Sequence, residues 1–447
     1  MHSFARWTSV VAMADQNEKY ELKPETELRC EVPNDGELKV VLEVGSAEIF
    51  GVEIAANREY SFQDSNIAIF TWYGCKLSIS SSKAVIYVSE DTPMVSYVNT
   101  HMQLEAKRDY ALANNEFGPR VLLTGPGKST TARILSAYAC RLDRTPLYID
   151  LDVCQTSMTV PGTISAIPLD KFSLNVQEGF DSFNPLTYYV GHSSAKEVEE
   201  HTALYDDMTS ILAEKVNNRL EKDIELKSSG FFINTCSIDN FETLVKCVKT
   251  FSTDIVLVLG NDKLYSQLSQ ELKNDDVMVV KLPSSGGRVI RNRESKNRLR
   301  QARINEYFYG NITSMSSPIN FSPTRIDIQI STMKFIRSRP PISEGMSLIG
   351  ETKSGANAGY DTELIRITPQ KDLLENCFVA VLHPLKEGDT SAIGDDGIPQ
   401  NLLKSNVAGF IYVVEMDIEQ DTMTILSPSS GPLPSIYLLV GSIKGSL

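Results

Sequence analysis

The chain has 447 residues, 42% of them hydrophobic and 22% charged, with a formal net charge of −14. At ~150 residues per domain this length predicts about three globular domains with room for real cores. The negative balance excludes a protein that coats nucleic acid with its whole surface, so any RNA contact needs a local basic patch. The seven cysteines, at 30, 75, 140, 154, 236, 247 and 377, include no CxxC pair. That spacing reads as reduced thiols in a cytosolic or nuclear protein, not as a disulfide framework or a zinc site. No apolar run approaches the ~18 residues of a membrane span, and no membrane partner is expected. The opening MHSFARWTSVVAM is too weak for a signal or transit peptide, and Met13 reads as the natural beginning.

Residues 17–99 are rich in short strand-like runs: ELRCEV, ELKVVLEV, AEIFGVEI, IAIFTWYG, KLSIS and AVIYVS. Turn residues such as Pro33-Asn34-Asp35-Gly36 separate them, as in a small β-sandwich or barrel. A connecting helix is predicted over 99–116. From Pro119 strands and helices alternate: VLLTG before KSTTARILSAYACRL, then LYIDLD, FFINTC before NFETLVKCVKTF, and IVLVLG before DKLYSQLSQELK and VMVVKL. This alternation predicts a mostly parallel sheet with helices on both faces. Between residues 201 and 223, Leu204, Met208, Ile211, Leu212, Val216 and Leu220 recur at helical spacing. Beyond about 315 the runs RIDIQI, FVAVLH, AGFIYVVEMDI, TMTILS and IYLLVGSI return to strand. The order is a β domain over 13–99, an α/β domain over 100–314 and a β-rich domain over 315–447.

The strongest chemical signal is Val121-Leu122-Leu123-Thr124-Gly125-Pro126-Gly127-Lys128-Ser129-Thr130, a strand, a glycine turn and Gly-Lys-Ser opening a helix. In a P-loop the lysine addresses the β/γ-phosphates, the serine hydroxyl binds Mg²⁺ and the helix N-terminus offers N–H donors and a positive dipole. The P-loop pattern has four residues between its first glycine and Gly-Lys, and here Pro126 stands alone, without an N–H to donate. GPGKST by itself is open to three readings: a bare strand-to-helix turn, a degenerate nucleotide site, or a gene-model error that removes three codons. A GTPase is disfavoured because no NKxD-type base-reading motif occurs.

A resemblance spans nearly the whole chain. ETELR (25–29), AEIFG (47–51), FTWYGC (70–75), YVSEDTPM (87–94), NTH (99–101), FGPRVLLTG (117–125), LDVCQ (151–155), VPGTISA (160–166), INTC (233–236), INEYFYG (304–310) and VAGFIYV (407–413) occur in this order. The chain resembles the cleavage-and-polyadenylation subunits related to RNA 5′-hydroxyl kinases, found in cleavage factor IA of fungi and in its animal equivalent. The resemblance implies a central P-loop kinase-like α/β domain flanked by an N-terminal all-β domain and a C-terminal β-rich domain.

It also assigns roles to individual residues. Gly125, Pro126, Gly127, Lys128, Ser129 and Thr130 form the phosphate loop, with Ser129 on Mg²⁺ when nucleotide is bound; active members carry three further residues after the Gly-Pro. Asp152 matches the carboxylate that receives the proton of the attacking 5′-OH, and Cys154 replaces the glycine of the family's DVGQ. After INTC, active members continue Gly-Trp, where this chain has Ser237-Ile238 and loses a stacking contact worth ~1–3 kcal/mol per base. The basic stretch 288–303 matches the lid helix, with Arg291 as the first clamp arginine and Lys296 at the second. Lysine there gives up the bidentate fork. Glu27 matches the residue that reads the adenine amino group, and Asn66 stands where relatives usually carry lysine. The five histidines show no metal spacing, and His192, near the expected substrate groove, reads as structural or surface.

The shortened loop and the missing tryptophan both weaken a reaction that depends on positioning and charge stabilisation. The expectation is therefore a non-catalytic nuclear subunit of the mRNA 3′-end machinery with ATP as a structural ligand. It would dock the cleavage factor IA scaffold that contacts the RNA polymerase tail, together with other 3′-end processing factors, and contact RNA through 288–303. The alternative is an active ATP-dependent RNA 5′-hydroxyl kinase, supported by intact Lys128, Ser129 and Asp152.

Overall fold

The computed structural model describes residues 16–176, 179–180, 184–236, 240–288, 292–310, 321–339, 362–385, 398–445 and 447. Its organising element is a seven-stranded sheet made of β1 (Arg120–Thr124), β2 (Leu147–Asp150), β3 (Thr163–Pro168), β4 (Leu186–Tyr189), β5 (Phe231–Asn234), β6 (Ile255–Leu259) and β7 (Met278–Leu282). In space they run β4-β3-β2-β5-β1-β6-β7. The five strands from β2 to β7 in this order are parallel, and β3 and β4 add an antiparallel edge.

These strands are continuous apolar runs because both sheet faces are covered. Successive side chains point to opposite faces. Leu122, Ile149, Ile233, Val256 and Val258 meet α3 (Thr202–Lys222), α4 (Phe241–Thr250) and α5 (Asp262–Glu271). Val121, Leu123, Tyr148, Phe232 and Leu257 meet α1 (Met94–Asn114) and α2 (Lys128–Arg141) on the other face. The predicted helix at 99–116 begins five residues earlier, after Pro93, because a proline tolerates the first turn of a helix, where N–H groups lack intrahelical partners.

The N-terminal domain is a sandwich of a four-stranded and a five-stranded sheet closed on a common core that includes Leu28, Val40, Ile69 and Leu77. It is tied to α2 through buried Glu48, which accepts from the Tyr138 hydroxyl and, at 3.1 Å, from Arg141. The C-terminal domain centres on another seven-stranded sheet. Its strand Cys377–Leu382 is buried throughout, with Phe378, Ala380 and Leu382 facing one core and Cys377, Val379 and Val381 the other.

The helix α6 (Arg293–Tyr309) spans the two regions: its N-terminal half overhangs the site, while Ile304 and Phe308 are buried in the C-terminal core. Among the described residues no helix is long and apolar enough to cross a membrane. Because Phe308 is fully buried, Phe308→Ala is expected to cost about 3–5 kcal/mol, read as a lower denaturant midpoint. An unchanged midpoint would show that α6 is not anchored through this ring.

Candidate nucleotide and phosphoryl-transfer site

β1 ends at Thr124 and α2 begins at Lys128, so three residues turn the chain. Gly125 has φ +95°, and a Cβ there would lie 2.2 Å from the Leu259 carbonyl oxygen, so only glycine fits. The Lys128 N–H donates to the Gly125 carbonyl at 3.4 Å, and the Ser284 hydroxyl donates to the Pro126 carbonyl at 3.0 Å. The N-cap, Gly127, has φ 91° and no capping side chain, and the first turn of α2 has no acidic residue. The helix N-terminus thus keeps its positive end for an anion. The six residues from Gly125 to Thr130 all line one cavity, of about 360 Å³, between the sandwich and the central sheet.

Lys128 Nζ lies 3.6 Å from Asp152 Oδ2, with both side chains largely buried. Asp152 is two residues past the end of β2, and its Oδ1 accepts the N–H groups of Cys154 at 3.1 Å and Gln155 at 3.3 Å. Ser129 donates its hydroxyl to Asn234 Oδ1 at 2.9 Å. The Asn234 amide donates to Asp150 Oδ1 at 2.9 Å, and Asp150 Oδ2 accepts the N–H and hydroxyl of Ser157 at 2.8 and 2.5 Å. Burial pushes the Asp150 carboxyl up, against the pull of the Ser157 hydrogen bonds. Asp150 and Asn234 escaped the sequence reading although both lie in motifs singled out there. The only available signal was their place at strand ends, LYID and FFIN, which becomes informative once β2 and β5 are known to be neighbours.

At the sandwich end of the cavity stand Glu27 and Asn66, together with Arg29, Phe50, Ile67, Phe70 and Tyr97. Glu27 accepts from Arg29 Nε at 2.6 Å and from the Thr92 hydroxyl at 2.8 Å, which orients the carboxylate and leaves lone pairs for an amino group. The wall is completed by Ser284, Ser285, Gly287 and Arg288. A Cβ on Gly287 would come within 2.5 Å of Arg29 Cδ, so the bare glycine lets this segment close against the sandwich. The donors and apolar walls fit a nucleotide lying with its base on the sandwich and its phosphates on α2.

The basic stretch separates into two groups. Arg288 and Lys296 line the cavity. Arg298 instead pairs with Asp64 at 3.0 Å, Arg300 donates to the carbonyls of Cys154 at 2.9 Å and Ser193 at 2.6 Å, and Arg303 pairs with Glu306 at 2.6 Å. The first two tie α6 to the sandwich and to the segments after β2 and β4, while the Arg303–Glu306 pair lies within α6 itself. Arg291 and Ser237-Ile238 lie outside the described residues. His192 stands away from the cavity: it is buried, contacts the Ser442 hydroxyl through Nδ1 at 3.1 Å and stacks on His201. Burial pushes its pKa down to about 4, which keeps it neutral.

A second cavity, of about 600 Å³, opens on the other side of the phosphate loop and shares Gly125, Pro126, Lys128 and Arg288 with the first. Thr235, Cys236, Asn240, Lys263 and Gln267 line its remaining walls. Lys128 therefore sits where the two cavities meet. The Cys236 thiol hydrogen-bonds the Cys154 sulfur, which holds Cys154 below its ordinary range and pushes Cys236 up.

Three protein families match the chain. The family described as "mRNA cleavage and polyadenylation factor CLP1 P-loop" covers residues 124–310, "N-terminal beta-sandwich domain of polyadenylation factor" covers 21–111, and "Pre-mRNA cleavage complex II protein Clp1" covers 321–444. A Nematostella vectensis protein named "Protein CLP1 homolog" is 35% identical over 443 residues, covering 97% of each chain. The Bos taurus and Homo sapiens proteins named "Polyribonucleotide 5'-hydroxyl-kinase Clp1" are 37% and 36% identical over 434 residues, 95% of this chain and 96% of theirs. Two solved structures of Clp1p, described as complexes or interfaces with Pcf11p, share the fold with TM-scores of 0.77 and 0.78 at 24% identity. They cover 96% and 97% of this chain and 98% and 99% of their own, and the second description also names a point mutant that loses ATP.

These relatives correct the expectation of a chain without enzymatic activity, because proteins alike over 95% of its length carry the name of a kinase. The physical reason is that the three residues missing from the loop are not the groups that carry the charge and the hydroxyl of the cleft. Their absence leaves Lys128, Ser129 and Asp152 together at one cleft. The chain belongs to the Clp1 family of mRNA cleavage and polyadenylation factors.

Proposed function

We propose that this chain is an ATP-dependent polyribonucleotide 5′-hydroxyl kinase that works as a nuclear subunit of the pre-mRNA 3′-end cleavage machinery. The observation that carries the proposal is the position of Lys128, 3.6 Å from Asp152 and at the junction of a base-sized cavity and a second, open one. Glu27 and Asn66 hold the adenine end of ATP, and the turn from Gly125 to Thr130 holds the phosphates. Mg²⁺ belongs at the Ser129 hydroxyl, and when bound it neutralises charge on the phosphates. Behind that hydroxyl, Asn234 and Asp150 fix the Ser129 rotamer, which suits an oxygen-lined hard-cation site.

The RNA end enters the second cavity with its 5′-hydroxyl towards Asp152. Asp152 takes the hydroxyl proton as the 5′ oxygen attacks the γ-phosphorus, and the β–γ bridging oxygen leaves with its electron pair. Lys128 stabilises the charge on the moving phosphoryl group, as do Arg288 and Lys296, which line the cavity. The test is transfer of labelled γ-phosphate from ATP to a 5′-OH oligoribonucleotide. Lys128→Ala and Asp152→Asn are each expected to lower the rate by about 10²–10³. Asn234→Ala should lower it less, because Ser129 remains but loses its orienting partner. Transfer that is absent from wild type, or indifferent to Lys128, overturns the kinase reading.

The same chain is proposed to dock the scaffold subunit that contacts the RNA polymerase tail and, through it, other 3′-end processing factors. Support comes from family membership. A standard interface covers about 800 Å² per partner, far more than the few groups of the cleft. Lys128→Ala and Asp152→Asn, folded by circular dichroism, should therefore bind the scaffold with wild-type affinity. If folded variants lose the partner, assembly depends on the nucleotide site and this separation is wrong.

A further inference from the structure

The sequence spacing of the cysteines excludes a CxxC zinc motif, but the fold creates a site that spacing cannot express. β2 and β5 are adjacent parallel strands with Asp150 opposite Asn234. The segments leaving their ends therefore run side by side and bring Asp152, Cys154 and Cys236 together. One carboxylate oxygen and the two sulfurs lie within 4.8 Å of one another, and Cys236 Sγ is 3.9 Å from Asp152 Oδ1. Among the described residues this is the one group of three carboxylate, thiol or imidazole donors so arranged. We propose that Asp152, Cys154 and Cys236 form a binding site for a thiophilic divalent cation of the zinc class.

Several observations support this site. Zinc bonds of about 2.3 Å to sulfur and 2.0–2.2 Å to oxygen place tetrahedral donors roughly 3.4–3.8 Å apart, so the three need only a small contraction. The donors are held in advance: Asp152 accepts two backbone N–H groups, and the Cys154 carbonyl is pinned by Arg300 at 2.9 Å. An entry path exists, since Cys236 lines the larger cavity and Asp152 the smaller. Two thiolates and a carboxylate carry three negative charges, which a dication and the nearby Lys128 ammonium balance. Sulfur donors select zinc-class ions and disfavour Mg²⁺. The fourth position is left for a solvent molecule from the cleft. Each thiol gives up its proton on binding, so proton release accompanies loading and affinity rises with pH.

The site is distinct from the Mg²⁺ position at Ser129 and does not rest on the kinase reading. A metal there would nevertheless occupy the Asp152 carboxylate, making zinc an inhibitor of any reaction that uses it. Cys154 decides the matter, because it stands where the family's motif has glycine; with glycine there, only one thiol and one carboxylate would remain.

The test uses the full chain, freed of metal and kept reduced with a phosphine, and titrated with Co²⁺. The expected result is one equivalent giving an intense thiolate-to-cobalt charge-transfer band and tetrahedral ligand-field bands, both displaced by Zn²⁺. Cys154→Gly should weaken affinity by at least about 100-fold, the upper end of what lost supporting contacts cost. Cys236→Ser provides the same comparison if Cys154→Gly fails to fold by circular dichroism. Absence of the band in wild type overturns the proposal. So does a band that persists unchanged in a folded variant, which would place the cobalt on one of the other five thiols. Neither outcome depends on phosphate transfer, so failure of this site and failure of the kinase reading remain distinguishable.

Discussion

The hydroxyl of Ser129, the amide of Asn234, the carboxylate of Asp150 and the hydroxyl of Ser157 form one hydrogen-bonded chain through the sheet's C-terminal edge. Asp150 and Asn234 are both buried. An unpartnered carboxylate there would be costly, so each member requires the next. The chain joins the first turn of α2 to the ends of β2 and β5, the three elements that carry the phosphate loop, Asp152 and Cys236. Site geometry is thereby fixed by strand order, and strand order by the apolar runs that bury both faces of the sheet.

A second set of contacts closes the cleft from above. Glu48 joins the sandwich to α2, Tyr97 donates from α1 to the Pro283 carbonyl at 3.0 Å, and Arg298 on α6 reaches Asp64 of the sandwich. The last pair is about two-fifths exposed on both sides, so its worth in water is small. Its geometry still matters, because α6 carries Lys296 over the cavity while Phe308 anchors the far end of the same helix. The sandwich, the turn from Gly125 to Thr130 and α6 are thus held in register by three different kinds of contact.

Much of this was legible in the sequence. VLLTG, FFINTC and IVLVLG were recognisable as buried strands because three to five consecutive apolar residues precede a turn and a helical pattern, and Leu204 to Leu220 repeat at helical spacing in α3. Sheet order was not legible, and the partners it creates stayed hidden. Asn234 and Asp150 are 84 residues apart, and so are Asp152 and Cys236. The basic stretch was legible as charge, but its division was not. Lys296 and Arg300 lie one turn apart on the same face of α6, yet the first meets the cavity and the second two backbone carbonyls, and composition does not say what lies beneath each turn.

The shortened loop illustrates how a missing motif element differs from a missing function. In a full-length P-loop, several backbone N–H groups encircle the β-phosphate. With Pro126 alone between the glycines, that enclosure is smaller, and its turn is held instead by the Ser284 hydroxyl on the Pro126 carbonyl. The remaining attractions have other origins: the uncapped start of α2, the charge on Lys128 and the oriented hydroxyl of Ser129. None of these is supplied by the absent residues. A helix dipole acts within its first turn and an ammonium over several ångströms, so both reach an anion whether or not the loop closes around it. Removing the enclosure lowers affinity and precision first, and it removes the chemistry only if Lys128 and Asp152 lose their common cleft.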